Sequence, residues 1–132
     1  MEGLMMDFKE YFGSVKGTGV FSTADDNGVV NSAIYAAPYS TDDGQLSFIM
    51  RERKTHENIG VNPHACFLFI EAGKMTGKRI YLTKVKEEKN SETLSSYRHH
   101  GKKSEGAADE DLYQVFFKVD KVLPLVGSGE EK

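Results

Sequence analysis

The chain opens with apolar residues at helical spacing. They recur at i, i+4, i+7, i+8 and i+11, so they form one stripe along a helix while the charged residues between them face away. Gly17 follows the stripe and marks the end of the predicted helix. The stripe consists of Leu4, Phe8, Tyr11, Phe12 and Val15.

A β pattern follows this helix. Residues 20–24 form a short β-rich run, and Asn27-Gly28 comes next. An Asn-Gly pair between such runs is a strong hairpin signal, because both turn residues need a positive φ. The return strand is predicted over residues 29–37. Asp42-Asp43-Gly44 then predicts a second turn before a third strand over residues 46–50.

The middle of the chain predicts a short helix and two further strands. Thr55 is the expected N-cap of the helix, and Asn62-Pro63 ends it because the residue before a proline is pushed out of the α region. Residues 65–70 are nearly all apolar, as in a strand buried on both faces. A glycine-bracketed loop over residues 73–77 leads to the next strand, predicted over residues 79–85.

The last third predicts one helix, one loop and one strand. A helix is expected over residues 90–100 with Gly101 as its C-cap, followed by a polar loop over residues 102–111. Apolar and polar residues then alternate from Tyr113 to Asp120, as in a strand with one buried face. Residues 127–132 are expected to form a disordered tail.

The order of these elements favours a mainly β (α+β) fold. Six strands in hairpin-type order, with two or three helices at the periphery, predict a small antiparallel barrel. A parallel sheet would need a helix between successive strands, and the first two connections here are tight turns. A chain of 132 residues accommodates one such domain, expected over residues 1–126.

Composition narrows the class of protein. The chain has 17 Lys and Arg against 20 Asp and Glu, a net charge of −3, which argues against a general nucleic-acid binder. Its 8 phenylalanines and 6 tyrosines argue against intrinsic disorder. A single cysteine, Cys66, excludes a disulfide framework and a cysteine-based zinc site. No apolar run is long enough to span a bilayer, and the acidic start does not resemble a secretory signal, so a cytoplasmic protein is expected.

Most of the other candidate chemistry has a structural explanation. The segment from Gly73 to Arg79 is not a Walker loop, because three residues rather than four separate Gly73 and Gly77. Cys66 lies in an apolar run, where burial would make its thiol inert. The histidines have no partners at ligand spacing, so no metal site is expected.

A basic cluster before the short helix is the most informative feature. Arg51, Arg53 and Lys54 precede Thr55, and a helix N-terminus presents free N–H groups with a partial positive charge. Two arginines, a lysine and a hydroxyl converging there would bind a terminal phosphate. On the residues alone, a solvated basic turn explains the cluster slightly better.

Four segments in order resemble the FMN-binding split-barrel family, which includes pyridoxamine 5′-phosphate oxidase and small bacterial FMN-binding proteins. Residues 54–63 match the family's helix pattern K-T-x-x-N-I-x-x-N-P. Residues 20–28 resemble its opening hairpin, residues 30–33 the strand along the flavin, and residues 75–80 the glycine-containing entry to the next strand. Each segment is weak alone, but their order and spacing together are fairly specific.

The resemblance implies a six-stranded antiparallel split barrel that forms a homodimer with FMN at the interface. It favours the phosphate site over the solvated turn, with Lys54 and Thr55 holding the FMN phosphate, helped by Arg51 or Arg53. Asn31, Ser32 and Ala33 would line the ribityl chain and the ring, Ile49 and Met50 would lie opposite, and Thr76 and Gly77 would lie close by.

The function implied is oxidoreduction, with hydride or electrons transferred through the flavin itself. No side chain has the spacing of a catalytic acid or base, so none is named. The true oxidase is longer, and its substrate-phosphate residues have no counterpart here, which argues against pyridoxamine oxidation. Two alternatives remain: a flavin carrier or electron-transfer protein without a substrate pocket, and a member of the superfamily that binds haem or a deazaflavin instead of FMN.

Overall fold

The structure, a computed structural model, describes residues 7–90 and 111–127. Two helices and seven strands lie within these ranges. In chain order they are α1 (Phe8–Ser14), β1 (Gly17–Ala24), β2 (Val30–Tyr35), β3 (Tyr39–Ser40), β4 (Leu46–Met50), α2 (Lys54–Val61), β5 (His64–Glu71), β6 (Gly77–Lys89) and β7 (Tyr113–Pro124).

The seven strands form a single sheet in the order β2-β1-β5-β6-β7-β4-β3. Every neighbouring pair is antiparallel, as the tight turns in the sequence predict. The sequence predicts six strands; the seventh is the two-residue β3, whose Tyr39 and Ser40 pair with Ser47 and Leu46 of β4. The end strands β2 and β3 do not pair with each other, so the sheet does not close and the barrel is split between them.

The hairpin between β1 and β2 is confirmed, although its turn has a different geometry from the predicted one. Asp25 Oδ1 accepts hydrogen bonds from the backbone N–H groups of Asn27 and Val29, each at 2.9 Å. Gly28 has a φ of +83°, whereas Asn27 does not have a positive φ. The Asp25 side chain therefore holds a tight turn in which only the glycine occupies the left-handed region.

The start of α2 differs from the prediction that Thr55 is its N-cap. The helix begins one residue earlier, at Lys54, and Arg53 is the N-cap, with extended backbone and no capping hydrogen bond from its side chain. Thr55 therefore lies in the first helical turn, where its side chain is only 2% exposed and cannot cap the helix. The predicted end is confirmed, because Asn62 is the extended C-cap before Pro63.

The core is built mainly from phenylalanines on the inner face of the sheet. Phe48 lies 4.8 Å from Phe21 and 5.0 Å from Phe67 between ring centroids, both in edge-on geometry. Helix α1 covers one end of this cluster, where Phe12 meets Phe69 edge-on at 5.1 Å. The buried apolar residues of the core are Phe8, Phe21, Leu46, Phe48, Met50, Ile59, Ala65, Phe67, Phe69, Ile80, Leu82, Val115 and Phe117.

Burial in β5 alternates, so the prediction that this strand is buried on both faces is wrong. Ala65, Phe67 and Phe69 point into the core, whereas Cys66 and Leu68 are only half-buried on the outer face. An antiparallel sheet commonly buries one face and leaves the other partly solvated, and an all-apolar strand hides this alternation in the sequence.

Strands β6 and β7 form the longest pair of the sheet. Strand β6 runs from Gly77 to Lys89, longer at both ends than predicted, because its register with β7 extends from Lys78 to Lys89. In β7, Val115 and Phe117 are fully buried as predicted, whereas Gln114, expected on the polar face, is also buried at 7% exposure.

The predicted second helix, the polar loop after it, the tail beyond Gly127, and Leu4 of the first apolar stripe lie outside the described residues. Within residues 7–90 and 111–127, neither helix is both long and apolar enough to cross a membrane.

Candidate functional site

A cavity of about 380 Å³ lies at the split of the barrel. Its walls come from β2 at one end of the sheet, from β3 and β4 at the other end, and from the segment that leads from β4 into α2. Its volume falls within the range of roughly 300–1,000 Å³ that is typical of small-molecule sites. The lining residues are Ala33, Ile34, Tyr35, Ala36, Ala37, Tyr39, Ser47, Phe48, Ile49, Arg51, Arg53 and Thr55.

The charged residues of this lining are positive. Among the residues that the structure describes, Arg51 and Arg53 are its charged members and no carboxylate lines the cavity. Both belong to the segment between β4 and α2, and the Arg53 guanidinium also donates to the carbonyl of Glu52 at 3.2 Å. Arginine presents a planar set of donors that suits a carboxylate or phosphate. The cavity is therefore suited to an anionic group at this end.

Two hydroxyls accompany the arginines. Thr55 and Tyr35 both line the cavity, and the Thr55 hydroxyl lies near the Tyr35 phenol. Burial raises the pKa of Tyr35, an effect that the Thr55 hydroxyl and the nearby Arg53 only partly oppose. The Tyr35 phenol therefore stays protonated at neutral pH and remains a hydrogen-bond donor.

Tyr35 is a site residue that the sequence analysis missed. It is the last residue of β2, and its ring packs against Phe21 at 5.3 Å and Phe48 at 6.3 Å between centroids. In the sequence it is one more aromatic residue in a β-rich run, which is usually a core position. Its place at an open edge of the sheet, beside two arginines distant in sequence, depends on the strand order.

The other part of the lining is small and apolar. Ala33, Ala36 and Ala37 come from the end of β2 and the connection that follows it, and Ile49 faces them from β4. Met50, the next residue of β4, is 1% exposed and belongs to the core. Of this predicted pair, only Ile49 lines the cavity.

The predicted residues Asn31 and Ser32 lie on β2 just before the lining begins. Asn31 is opposite Thr23 in the register of the β1–β2 pair. Ser32 points to the outer face, where its hydroxyl bonds to that of Ser22 at 2.8 Å. Neither residue lines the cavity, whereas their neighbour Ala33 does.

The remaining predicted residues do not line the cavity either. The Lys54 ammonium lies 3.5 Å from Glu57 on the exposed side of α2. Thr76 donates to Glu71 at 2.8 Å near the β5–β6 connection, and Gly77 begins β6 beside the backbone of Phe69. The structure thus brings together Ala33, Ile49, Arg51, Arg53 and Thr55 from the predicted set.

Neither histidine of the described residues belongs to this lining. His56 and His64 are the histidines of the described ranges, and neither lines the cavity. Within the same ranges, no group of three or more His, Cys, Asp or Glu side chains is arranged to hold a metal ion.

Comparison with known proteins finds solved structures that share this fold. No family model and no curated protein matches the sequence. Among solved structures, an FMN-binding protein from Syntrophomonas wolfei is similar with a TM-score of 0.72 and 17% identity, over 96% of this chain and 88% of the other. A pyridoxamine 5′-phosphate oxidase-related, FMN-binding protein from Nostoc punctiforme has a TM-score of 0.62 and 12% identity, over 81% and 72% of the two chains. An F420 reductase has a TM-score of 0.64 and 18% identity, over 89% and 98%.

The chain has the pyridoxamine 5′-phosphate oxidase-like split-barrel fold. This agrees with the mainly β split barrel that the sequence predicts, and the agreement extends over most of the chain in each comparison. At these identities the likeness establishes the split-barrel fold alone.

Proposed function

We propose that this split-barrel protein binds FMN in the cavity at its split and acts as a flavin-dependent oxidoreductase. The observation that carries the proposal is that the lining is divided into a polar and an apolar part. Arg51, Arg53 and the Thr55 hydroxyl form the polar part, and Ala33 and Ile49 belong to the apolar part. FMN has the same division between a charged phosphate and a flat, largely apolar ring system.

The described residues fit the two ends of that ligand. Arg51, Arg53 and the hydroxyls of Thr55 and Tyr35 would hold the phosphate through charge-assisted and neutral hydrogen bonds. Ala33 and Ile49 would contact the ring, whose hydride or electron transfer supplies the chemistry. Lys54, Asn31 and Ser32 remain predicted ligands that would need to turn towards the cavity.

A second copy of the chain would complete the site. The cavity opens beside the outer face of the edge strand β2, where Val30 is 76% and Ile34 is 71% exposed. Such apolar exposure on an edge strand favours an interface. Thr76 and Gly77 do not line the cavity of their own chain. In a dimer, these two residues of one chain would instead contact the flavin bound in the other chain.

The binding experiment compares FMN with riboflavin, which lacks the phosphate. Purified protein should carry a flavin absorption spectrum and release FMN on denaturation. Arg53→Ala should raise the Kd for FMN at least about tenfold, as expected for loss of a charged hydrogen-bond partner, while changing the Kd for riboflavin little. Lys9→Ala is the matched control, because it also removes one positive charge but lies on the exposed side of α1. A protein that binds no flavin would overturn the proposal, and a preference for a deazaflavin would redirect it.

Solution mass and turnover test the finer parts of the proposal. Wild-type protein should sediment as a dimer, and Val30→Glu should shift it towards monomer and weaken FMN binding, since Val30 is exposed without lining the cavity. A monomer with full FMN affinity would contradict an interface site. Steady oxidation of a reduced nicotinamide with a defined acceptor would distinguish an enzyme from a flavin carrier.

A further inference from the structure

A second polar cluster lies behind the segment that carries the two cavity arginines. The ring of His56 is 12% exposed, and each of its nitrogens faces a carboxylate. Nδ1 lies 2.9 Å from Glu52 Oε1, and Nε2 lies 3.0 Å from Glu87 Oε1. The ring also stacks on Tyr113, with 4.0 Å between centroids and 22° between planes.

This cluster links Glu52 to β6 and β7 through His56. Tyr113, which stacks on His56, also lies near Glu52, and burial together with the Glu52 charge raises the pKa of its phenol. Glu87 in turn accepts from Lys84, whose ammonium lies 3.0 Å away, so His56 is anchored to β6. Both nitrogens of an imidazole must donate for it to hydrogen-bond two ionised carboxylates at once.

Glu52 connects this cluster to the cavity through its position in the chain. It is the residue between Arg51 and Arg53, which both line the cavity, whereas Glu52 itself does not. Its side chain is instead engaged by His56, which stacks on Tyr113. Fixing Glu52 therefore fixes the backbone from which both guanidinium groups extend.

We propose that the anchor formed by Glu52, His56, Glu87 and Tyr113 positions Arg51 and Arg53, and so sets the preference of the site for a phosphorylated over an unphosphorylated flavin. The inference rests on the proposed FMN site. These four residues are positioning residues, because none of them lines the cavity. Charged hydrogen bonds to a phosphate depend steeply on donor geometry. Displacing the arginines should therefore weaken the binding of FMN, which has the phosphate, more than the binding of riboflavin, which lacks it.

The test measures the Kd of FMN and of riboflavin for wild type, Glu52→Ala, Glu52→Gln and His56→Ala. Glu52→Ala and His56→Ala should each raise the Kd for FMN about tenfold and change the Kd for riboflavin less than about twofold. Tyr113→Leu, which removes the aromatic stack on His56, should give a smaller loss of the same kind. Glu88→Ala is the control, because it removes an exposed carboxylate of β6 that pairs with Lys86 outside the anchor.

A double-mutant cycle separates positioning from general loss of structure. In an Arg51→Ala/Arg53→Ala background, Glu52→Ala should have no further effect on FMN affinity, since the residues it positions are gone. If His56→Ala does not fold, the Glu52 variants still decide the matter, because Glu52 is exposed at the surface of the segment. An unchanged ratio of riboflavin to FMN affinity, in a protein that binds FMN normally, would overturn the positioning role alone. A wild type that binds neither flavin would overturn both this inference and the proposed function.

Discussion

The side-chain amide of Asn58 donates a hydrogen bond to Thr23 Oγ1 at 3.0 Å, with Asn58 1% and Thr23 4% exposed. The bond joins α2 to β1 inside the barrel. The asparagine of the K-T-x-x-N-I-x-x-N-P pattern therefore has a structural role in this chain. It sets the position of α2, whose first turn carries Thr55 into the cavity.

Removing one partner of this bond should destabilise the protein strongly. Asn58→Ala leaves the buried Thr23 hydroxyl without its donor, and an unsatisfied buried polar group costs about 1–3 kcal/mol. We expect that loss in the free energy of unfolding, measured by urea denaturation. The double variant Asn58→Leu/Thr23→Val should recover much of it, because replacing both partners by apolar groups of similar shape is nearly neutral. Additive losses in the double variant would show that the bond does not couple the two residues.

The Tyr35 hydroxyl should contribute to ligand affinity without contributing much to folding. Tyr35→Phe keeps the ring against Phe21 and Phe48 and removes the hydroxyl that lies near Thr55 in the cavity wall. We expect the Kd for FMN to rise severalfold and the midpoint of urea denaturation to stay close to that of wild type. Because burial raises the pKa of Tyr35 above its ordinary value of 10.0, the FMN affinity of wild type should show no loss from ionisation of this phenol between pH 7 and pH 9. Isothermal titration at both pH values measures this, and an FMN affinity that is the same in Tyr35→Phe as in wild type would exclude the hydroxyl from the site.

The sequence predicts the strands and turns of this fold better than it predicts what each side chain faces. Asn27-Gly28 and the apolar run of β4 are local signals, and both are confirmed. The prediction that Thr55 is the N-cap was wrong because α2 begins one residue earlier, at Lys54. Thr55 therefore lies inside the first turn of the helix, with its side chain buried. The outer face of β5 could not be predicted, since an all-apolar run carries no alternation.

From the residues alone, the candidate site is predictable where one local segment supplies it. Arg51, Arg53 and Thr55 are close enough in the chain to be recognised as a cluster, and all three line the cavity, as do Ala33 and Ile49, which the family resemblance implies. Tyr35 joins them only because β2 and β4 lie near opposite ends of the sheet order and face each other across the split. The cluster around His56 is not predictable, because only the fold brings Glu87, 31 residues away in the chain, to its ring.

Tyr11 should make the protein sensitive to alkaline pH. Burial raises the pKa of its phenol, and the adjacent Glu71 carboxylate, which accepts its hydrogen bond at 2.6 Å, raises it further. The unfolded chain loses this proton near the ordinary pKa of 10.0, whereas the folded protein retains it. This contribution to stability is therefore complete below that pH and declines as the pH rises towards the folded pKa. Urea denaturation between pH 8 and pH 11 should show a shallower decline for Tyr11→Phe than for wild type, and equal slopes would contradict the assignment.

The same pair predicts the behaviour at acid pH. The hydrogen bond from Tyr11, followed by that from Thr76, lowers the pKa of Glu71 in the folded protein. The stability it contributes is present above the unfolded pKa and is lost as the pH falls through the folded pKa. Glu71→Gln should therefore flatten the loss of stability below about pH 4.5, the ordinary pKa of this carboxyl. Denaturation midpoints at pH 3 and pH 6 give the comparison, and a variant that loses as much stability as wild type over this interval would show that Glu71 is not responsible.

Two glycines with opposite surroundings give a matched test of packing in the sheet. At Gly19 of β1, an added Cβ would lie 2.3 Å from the Phe67 ring and 2.7 Å from the backbone carbonyl oxygen of Tyr35. Phe67 is fully buried and Tyr35 belongs to the adjacent strand, so neither can move without disturbing the core or the wall of the cavity. Gly19→Ala should cost about 1–3 kcal/mol, as overpacking typically does, and should also weaken FMN binding by displacing Tyr35. At Gly60 of α2, a Cβ would meet nothing within 4 Å, so Gly60→Ala should stabilise the helix by up to about 1 kcal/mol. Urea denaturation of both variants tests the contrast. If Gly19→Ala were as stable as wild type, strands β1 and β2 could shift apart enough to accommodate the added Cβ, and the prediction would be wrong.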